Sequence, residues 1–449
     1  SHAVLQPLLG AFRRDFVRRR CQAVLDEVRQ HLLRGELAVA DRNQMTDLVA
    51  ERTAARVQAD ALPSLRPVIN ASGIVIHTGL GRAPLSPEVQ EHVTRVMSGY
   101  CNLEFELASG GRGERTDHVR GLLCELTGAE SALLVNNNAA AVFLALNTLA
   151  FGRQAIISRG QLIEIGGSFR MPQVMEKSGV IMREVGTTNK TRLQDYEAAI
   201  TADTGVIVVA HTSNYRVLGF TEEVELKALC EMAHAHGLPV LHDLGAGVLV
   251  DFRKLGLPYE PPVQESLAAG VDVVTFSGDK VIGGPQAGLI AGKRELLQKI
   301  HQNPLMRALR CDKLIYAAME ATLRSFLRND LLQQNTTLYL LTQSLETIRL
   351  RAQAVFDRLS PDAVTRLNPR IVDCTSQIGS GALPLATLPS AALVLAPRDI
   401  SAAALAAKLR TGEPPIIGYI KDDEVLLDLR TVFDAQVTIL AHKLESLQS

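Results

Sequence analysis

The stretch Val273-Val274-Thr275-Phe276-Ser277-Gly278-Asp279-Lys280 decides how this 449-residue chain is read. An unbroken apolar, β-branched run is the pattern of a strand buried on both faces. It delivers one lysine to the strand's carboxyl end, and Gly283, Gly284 and Gly288 follow in Gly-Gly-Pro-Gln-Ala-Gly. A lysine amine in such a place can act covalently by forming a Schiff base with a carbonyl. Glycines beside it would let backbone approach a flat cofactor closely. The competing reading is a solvated lysine on an ordinary loop, and the neighbouring strands must arbitrate.

The upstream run Pro239-Val240-Leu241-His242 ends in Asp243, before Leu244-Gly245-Ala246-Gly247. A carboxylate at a strand end, some tens of residues before a lysine, is what pyridoxal 5′-phosphate (PLP) chemistry requires. It keeps the pyridine nitrogen protonated, so that the ring draws electrons from the substrate Cα. The plainer alternative for Asp243 is a helix N-cap. Asn136-Asn137-Asn138-Ala139-Ala140-Ala141 joins the strand Ala132–Val135 to an apolar helix. Small residues there leave backbone N–H groups for a phosphate, although a polar turn that only caps the helix fits equally. Asn136, His211, Asp243 and Lys280 all fall at carboxyl ends of strands, where α/β sheets gather their functional groups. The candidate cofactor-binding set is therefore Lys280, Asp243, Asn137, Asn138, Ala139, His211 and Ser277.

Composition sets the frame. Hydrophobic residues make up 47% and charged residues 21%, which describes a soluble globular chain long enough for two or three domains. The six cysteines show no Cys-x-x-Cys, and the histidines no paired spacing, so reduced thiols in a cytoplasmic protein are expected, with no metal site. No secretory leader or spanning apolar run is visible, so no membrane partner is expected. The opening Ser1-His2 reads as the remnant of a removed tag.

Residues 16–34 and Asp41–Asp60 carry helical patterns, giving a small helical domain over 1–62. Short strands alternate with helices over 63–330, which predicts a mostly parallel sheet in an α/β large domain. A smaller C-terminal α/β domain follows over 331–449, with strands at Val372-Asp373, Ala392–Leu395 and Val425–Leu429.

Arginine stands out in four places. Leu80-Gly81-Arg82-Ala83-Pro84 and Arg307-Ala308-Leu309-Arg310 look like an anion site, the latter pair sharing a helix face if the segment is helical. Phe12-Arg13-Arg14-Asp15-Phe16-Val17-Arg18-Arg19-Arg20 holds five arginines within eight residues, suited to a phosphodiester backbone or simply a solvated helix face. Gly110-Gly111-Arg112-Gly113-Glu114-Arg115 adds two cations whose role spacing does not settle.

Taken together, these motifs resemble the bacterial selenocysteine synthases, the L-seryl-tRNA(Sec) selenium transferases. The resemblance runs from Val68 to the C-terminus. It rests on Ile69-Asn70-Ala71-Ser72-Gly73, His77-Thr78-Gly79-Leu80-Gly81-Arg82-Ala83, Val135–Val142, Ser158-Arg159-Gly160 and Glu164–Arg170. Val185-Gly186-Thr187-Thr188-Asn189, His211-Thr212-Ser213-Asn214-Tyr215, Ser277–Gly288 and Arg307–Lys313 complete it. It implies a fold-type-I PLP-dependent transferase that makes selenocysteinyl-tRNA(Sec) from seryl-tRNA(Sec) and selenophosphate. It implies catalytic roles for Lys280, Asp279 and Asp243, and selenophosphate binding by Arg82, Arg307 and Arg310. It further implies a homo-oligomer built as a ring of dimers, such as a decamer, and a tRNA-binding role for the N-terminal helices. Gln161 stands where the family pattern has Glu, a mild departure that calls any acid role at this position into question. The rival is a PLP-dependent lyase or ammonia lyase acting on a small amino acid or amino sugar. Arg430 would then be the clamp on a substrate carboxylate.

Overall fold

In the computed structural model the chain forms two compact units, 1–67 and 68–449. Residues 2–37, 41–165, 169–215, 217–379, 381–383 and 386–447 are described. The Gly166–Ser168 part of the Glu164–Arg170 motif lies outside them.

The first unit consists of α1 (Gln6–Ala11), α2 (Arg14–Leu33) and α3 (Arg42–Ala61). Val17, Val24 and Val28 line one face of α2 and meet Val49, Ala54 and Val57 of α3 in two small apolar clusters. Asp41 caps α3 by accepting from the backbone N–H groups of Asn43 and Gln44. Arg13, Arg14, Arg18 and Arg19 project from the outer face of α2. Asp15 pairs with Arg13 and Arg19, while Arg20 pairs with Asp60 and lies 4.8 Å over the Phe16 ring. The helical unit expected over 1–62 takes in Pro63–Pro67 as well.

The second unit is built on a seven-stranded sheet. In chain order its elements include β1 (Ser131–Val135), α4 (Asn138–Ala150), β2 (Gln154–Ser158), β3 (Ile181–Val185) and β4 (Thr204–Ala210). There follow α5 (Leu226–Ala235), β5 (Val240–Gly245), β6 (Val273–Ser277), β7 (Gly288–Gly292), α6 (Leu305–Leu309) and α7 (Lys313–Ser325). The strand order is β1-β7-β6-β5-β4-β2-β3. Side chains alternate between two cores: Ala132 and Leu134 enter one, Leu133 and Val135 the other. That alternation is why these strands read as continuous apolar runs.

β7 was not foreseen. Gly288-Leu289-Ile290-Ala291-Gly292 lies antiparallel between β1 and β6, so the sheet is mixed. Its two bounding glycines made it look like the continuation of a glycine-rich loop.

A four-stranded antiparallel sheet forms the C-terminal part. Its elements are α8 (Leu345–Phe356), β8 (Pro369–Gln377), β9 (Thr387–Leu395), α9 (Ala402–Thr411), β10 (Tyr419–Lys421), β11 (Glu424–Asp428) and α10 (Val437–Ser446), with strand order β8-β9-β11-β10. Leu393, Leu395, Val425 and Leu427 pack against Ile348, Leu405 and Leu440 of the three helices. No helix among the described residues is long and apolar enough to cross a membrane.

Candidate active site

β5 and β6 run parallel, which sets Asp243 directly opposite Thr275. The register slips between Asp243 and Gly245, a bulge that re-aims the strand end at the site. Asp243 therefore belongs to a strand and is no helix N-cap. Its Oδ1 accepts from Asn138 Nδ2 at 2.8 Å and from Thr275 Oγ1 at 3.2 Å. Burial pushes its carboxyl above the usual range, against the pull of these two bonds and of the Lys280 charge.

Lys280 follows β6 and is only 6% exposed. Burial lowers its amine below the ordinary lysine range, opposed by the charge of Asp243 and reinforced by that of Arg82. It makes no ion pair among the described residues. Next to it, Asp279 is buried and accepts from Arg82 Nη1 at 2.5 Å. Arg82 reaches it from a left-handed backbone position at φ 63°, held by a bond from its own N–H to the carbonyl of His77.

Asn137 is the N-cap of α4, and its side chain accepts from the Ala140 N–H. The first helical residues, Asn138 and Ala139, have N–H groups that geometry leaves without an intrahelical acceptor. Gly288 is where the site requires glycine: a Cβ there would collide with the Asn137 carbonyl. Gly283 instead packs against the Asn335 side chain, so it serves the protein's own packing rather than the approach of a cofactor.

His211 lies just past β4; its N–H donates to the Asp243 carbonyl, and Nε2 lies 3.2 Å from Oε1 of the buried Glu260. Behind it, His242 is fully enclosed beside Ser266, and burial pushes it down to about 3, so it is neutral. Ser277 ends β6 and is buried.

The structure thus joins Asn138, Asp243, Lys280, Asp279 and Arg82 through contiguous contacts or charges. It does not carry Arg307 and Arg310 into that chain of contacts. Arg307 sits in the short helix α6, whereas Arg310 lies past its end in extended backbone bridged to Val135, so the two do not share a helix face. The Leu309 carbonyl accepts from the Asn136 N–H, which fixes this arginine segment beside the start of α4. Arg115 has a supporting part: it donates to Glu104 and to the Cys311 carbonyl, and Glu104 also lies 3.6 Å from Arg310. Arg115 holds the Glu104 carboxyl below its ordinary range. Gln161 Oε1 accepts from the Ala210 N–H at 3.1 Å, an acceptor's task that an amide performs as well as a carboxylate.

Three contributors escaped the reading of residues alone. Ser213 Oγ is buried without a partner, and the point where a side chain on Gly245 would begin lies 3.6 Å from it and 3.8 Å from Lys280 Nζ. Gly381, at φ 80°, comes from between β8 and β9, and any Cβ there would strike Lys280 Nζ. Glu260 anchors His211 from a connecting segment. The His-Thr-Ser-Asn motif contains Ser213, but nothing in Gly381 or Glu260 marks them.

The donor set suits PLP. The lysine amine, the carboxylate 100-odd residues after the helix start that it addresses, the open N-terminus of α4, and the partnerless Asn138 Oδ1 and Ser213 Oγ converge on one place. Among the described residues no group of His, Cys, Asp and Glu is placed to hold a metal ion. A mostly parallel sheet with these groups at its strand ends, joined to a small antiparallel C-terminal sheet, defines a fold-type-I PLP-dependent enzyme. A solved D-glucosaminate-6-phosphate ammonia-lyase shares the fold, with a TM-score of 0.59 at 19% identity, over 85% of this chain and 95% of that one. Residues 68–433 match the L-seryl-tRNA selenium transferase family model, and the chain belongs to that family. A Carboxydothermus hydrogenoformans L-seryl-tRNA(Sec) selenium transferase is 46% identical over 98% of this chain and 94% of its own length. The Methylocella silvestris enzyme of the same name is 50% identical over 86% and 83%.

Proposed function

We propose that this chain binds PLP through Lys280 and converts L-seryl-tRNA(Sec) to L-selenocysteinyl-tRNA(Sec), with selenium from selenophosphate. The observation that carries the reading is family membership over 68–433, together with a buried Lys280 that feels the charge of Asp243 and makes no ion pair among the described residues. When bound, PLP supplies an electron sink for negative charge at the seryl Cα. Asp243 holds the proton on the ring nitrogen, and Asn138 and Thr275 fix the carboxylate's direction. The N–H groups of Asn138 and Ala139, at the start of the helix whose N-cap Asn137 accepts from the Ala140 N–H, would take the phosphate. His211, oriented by Glu260, and Ser277 line the ring's surroundings. Once the seryl amine has taken its place on the cofactor, Lys280 would remove the Cα proton and return a proton to the β-hydroxyl, which would leave as water before selenium from selenophosphate bonds to Cβ. Arg82, poised by Asp279, binds the selenophosphate anion with Arg307 and Arg310.

The helices of 1–62 are assigned to tRNA binding through the arginine face of α2, 63–330 to the catalytic domain and 331–449 to the small domain. The reading includes a cytoplasmic homo-oligomer of dimers arranged in a ring, in the manner of a decamer.

The test is visible absorbance of PLP-loaded protein titrated with seryl-tRNA(Sec) and, separately, with free L-serine. A change with the charged tRNA alone supports the transferase; a change with free serine alone replaces it by a small-molecule lyase. Borohydride reduction and peptide mapping should place a pyridoxyl label on Lys280.

A further inference from the structure

Arg430 is the arginine that a free amino acid's carboxylate would need, and its guanidinium is already occupied. It is 1% exposed, and Nη1 donates to the Leu340 carbonyl at 2.8 Å and the Leu341 carbonyl at 3.3 Å. Nη2 donates to the carbonyls of Gln343 at 3.3 Å and Pro389 at 2.5 Å. With both Nη groups taken by four main-chain acceptors, only the buried Nε, which has no hydrogen-bond partner, is left, and a two-pronged grip on a substrate carboxylate is not available.

Gly381, which abuts the Lys280 amine, also lines a cavity of about 350 Å³. Its polar lining is His77, Thr78, Asn214 and Gln377, and no lysine, arginine or carboxylate among the described residues contributes to it. That volume is within the roughly 300–1,000 Å³ of small-ligand sites. His77 Nδ1 is buried there without a hydrogen-bond partner. Its ring is seated on Gly79, where a Cβ would lie 3.3 Å from Cε1. Asn214 is held by donating to the Glu164 carbonyl at 2.8 Å, and Thr78 and Gln377 stand at the rim.

We propose that this cavity is a ribose subsite, which takes the 3′-terminal nucleoside of an aminoacyl ester. An ester carries its sugar where a free amino acid carries its carboxylate. Hydroxyls and ring nitrogens find donors and acceptors in His77, Thr78, Asn214 and Gln377, whereas a carboxylate would meet no lysine or arginine among the described residues of the lining. The inference rests on the proposed function and deepens it: selection of an esterified serine is built into the catalytic unit itself, apart from any contact with the body of the tRNA.

Calorimetric titration of PLP-loaded protein with the 3′-seryl amide of 3′-amino-3′-deoxyadenosine, with L-serinamide and with L-serine tests it. The nucleoside amide should bind about tenfold or more tightly than serinamide, the effect of one or two neutral hydrogen bonds. Free serine should bind weakest. Gln377→Ala, at an exposed position, and His77→Ala should each remove most of the nucleoside advantage and leave serinamide binding within about twofold, and His77→Gln should restore part of it. Equal binding of nucleoside amide and serinamide, or free serine binding as tightly as either, overturns the proposal. Seryl-tRNA(Sec) is titrated in parallel. If it perturbs the cofactor band while the nucleoside amide shows no advantage, only the ribose subsite falls. If it too leaves the band unchanged, the proposed function falls with it.

Discussion

Two buried cations in one folded unit, Lys280 and Arg430, have opposite fates. Both are almost excluded from solvent, and burial lowers the proton affinity of both. Arg430 is enclosed by four carbonyls from the 340s and from Pro389, so its charge is dispersed into fixed hydrogen bonds and it ties those two segments to the end of β11. Lys280 is given neighbours that shape its environment, Asp243, Asp279 and Gly381, yet no ion-pair partner among the described residues. A buried cation whose Nη donors all meet fixed carbonyls is structure, while a buried amine kept short of partners is available for chemistry.

The largest effect that could break this comparison comes from Lys280→Ala, which should abolish the cofactor's visible band and cut turnover by roughly 10³-fold or more. Normal turnover in that variant would remove Lys280 from the chemistry. Arg430→Met should leave several buried carbonyls unpaired and cost roughly 3–5 kcal/mol of stability. Thermal melting of the purified variant measures it; a stable variant that instead gained or lost affinity for free serine would make Arg430 a ligand after all.

A pH series sharpens the contrast. Lys280 has a folded-state pKa below its unfolded value, so between the two the unfolded chain binds more protons and stability rises with pH. Without cofactor, Lys280→Met should therefore be more stable than the parent below the folded pKa. That advantage should shrink as pH rises toward the ordinary lysine range near about 10.4. Melting temperatures that diverged with rising pH would contradict the burial argument. The smallest effect is expected at Gln161→Glu, since either side chain can accept from the Ala210 N–H. Turnover within about threefold of the parent is expected, and a larger gain would restore an acid role to this position.

Much of this site was legible because its main pieces end strands. Asp243, Lys280 and the Asn137–Ala139 turn each follow an apolar run, and a parallel sheet collects such ends at one edge. β7 was not legible, because Gly288 and Gly292 outweigh three apolar residues in any local pattern and only pairing with β1 and β6 makes a strand of them. The pairing of Arg307 with Arg310 was half legible: spacing suggested a shared helix face, but the helix stops at Leu309.

What the amino-acid sequence by itself determined is the alternation that builds a doubly covered sheet, the chemistry at its strand ends, and membership of the family through ordered motifs. Local periodicity and residue type suffice for these. Tertiary structure alone decided which cation is free and which is occupied. The partners of Arg430 come from 41 to 90 residues away, and the glycine abutting Lys280 lies 101 residues downstream (381 minus 280). Backbone carbonyls carry no residue-type signal, so no pattern in the chain announces that they will converge on one guanidinium.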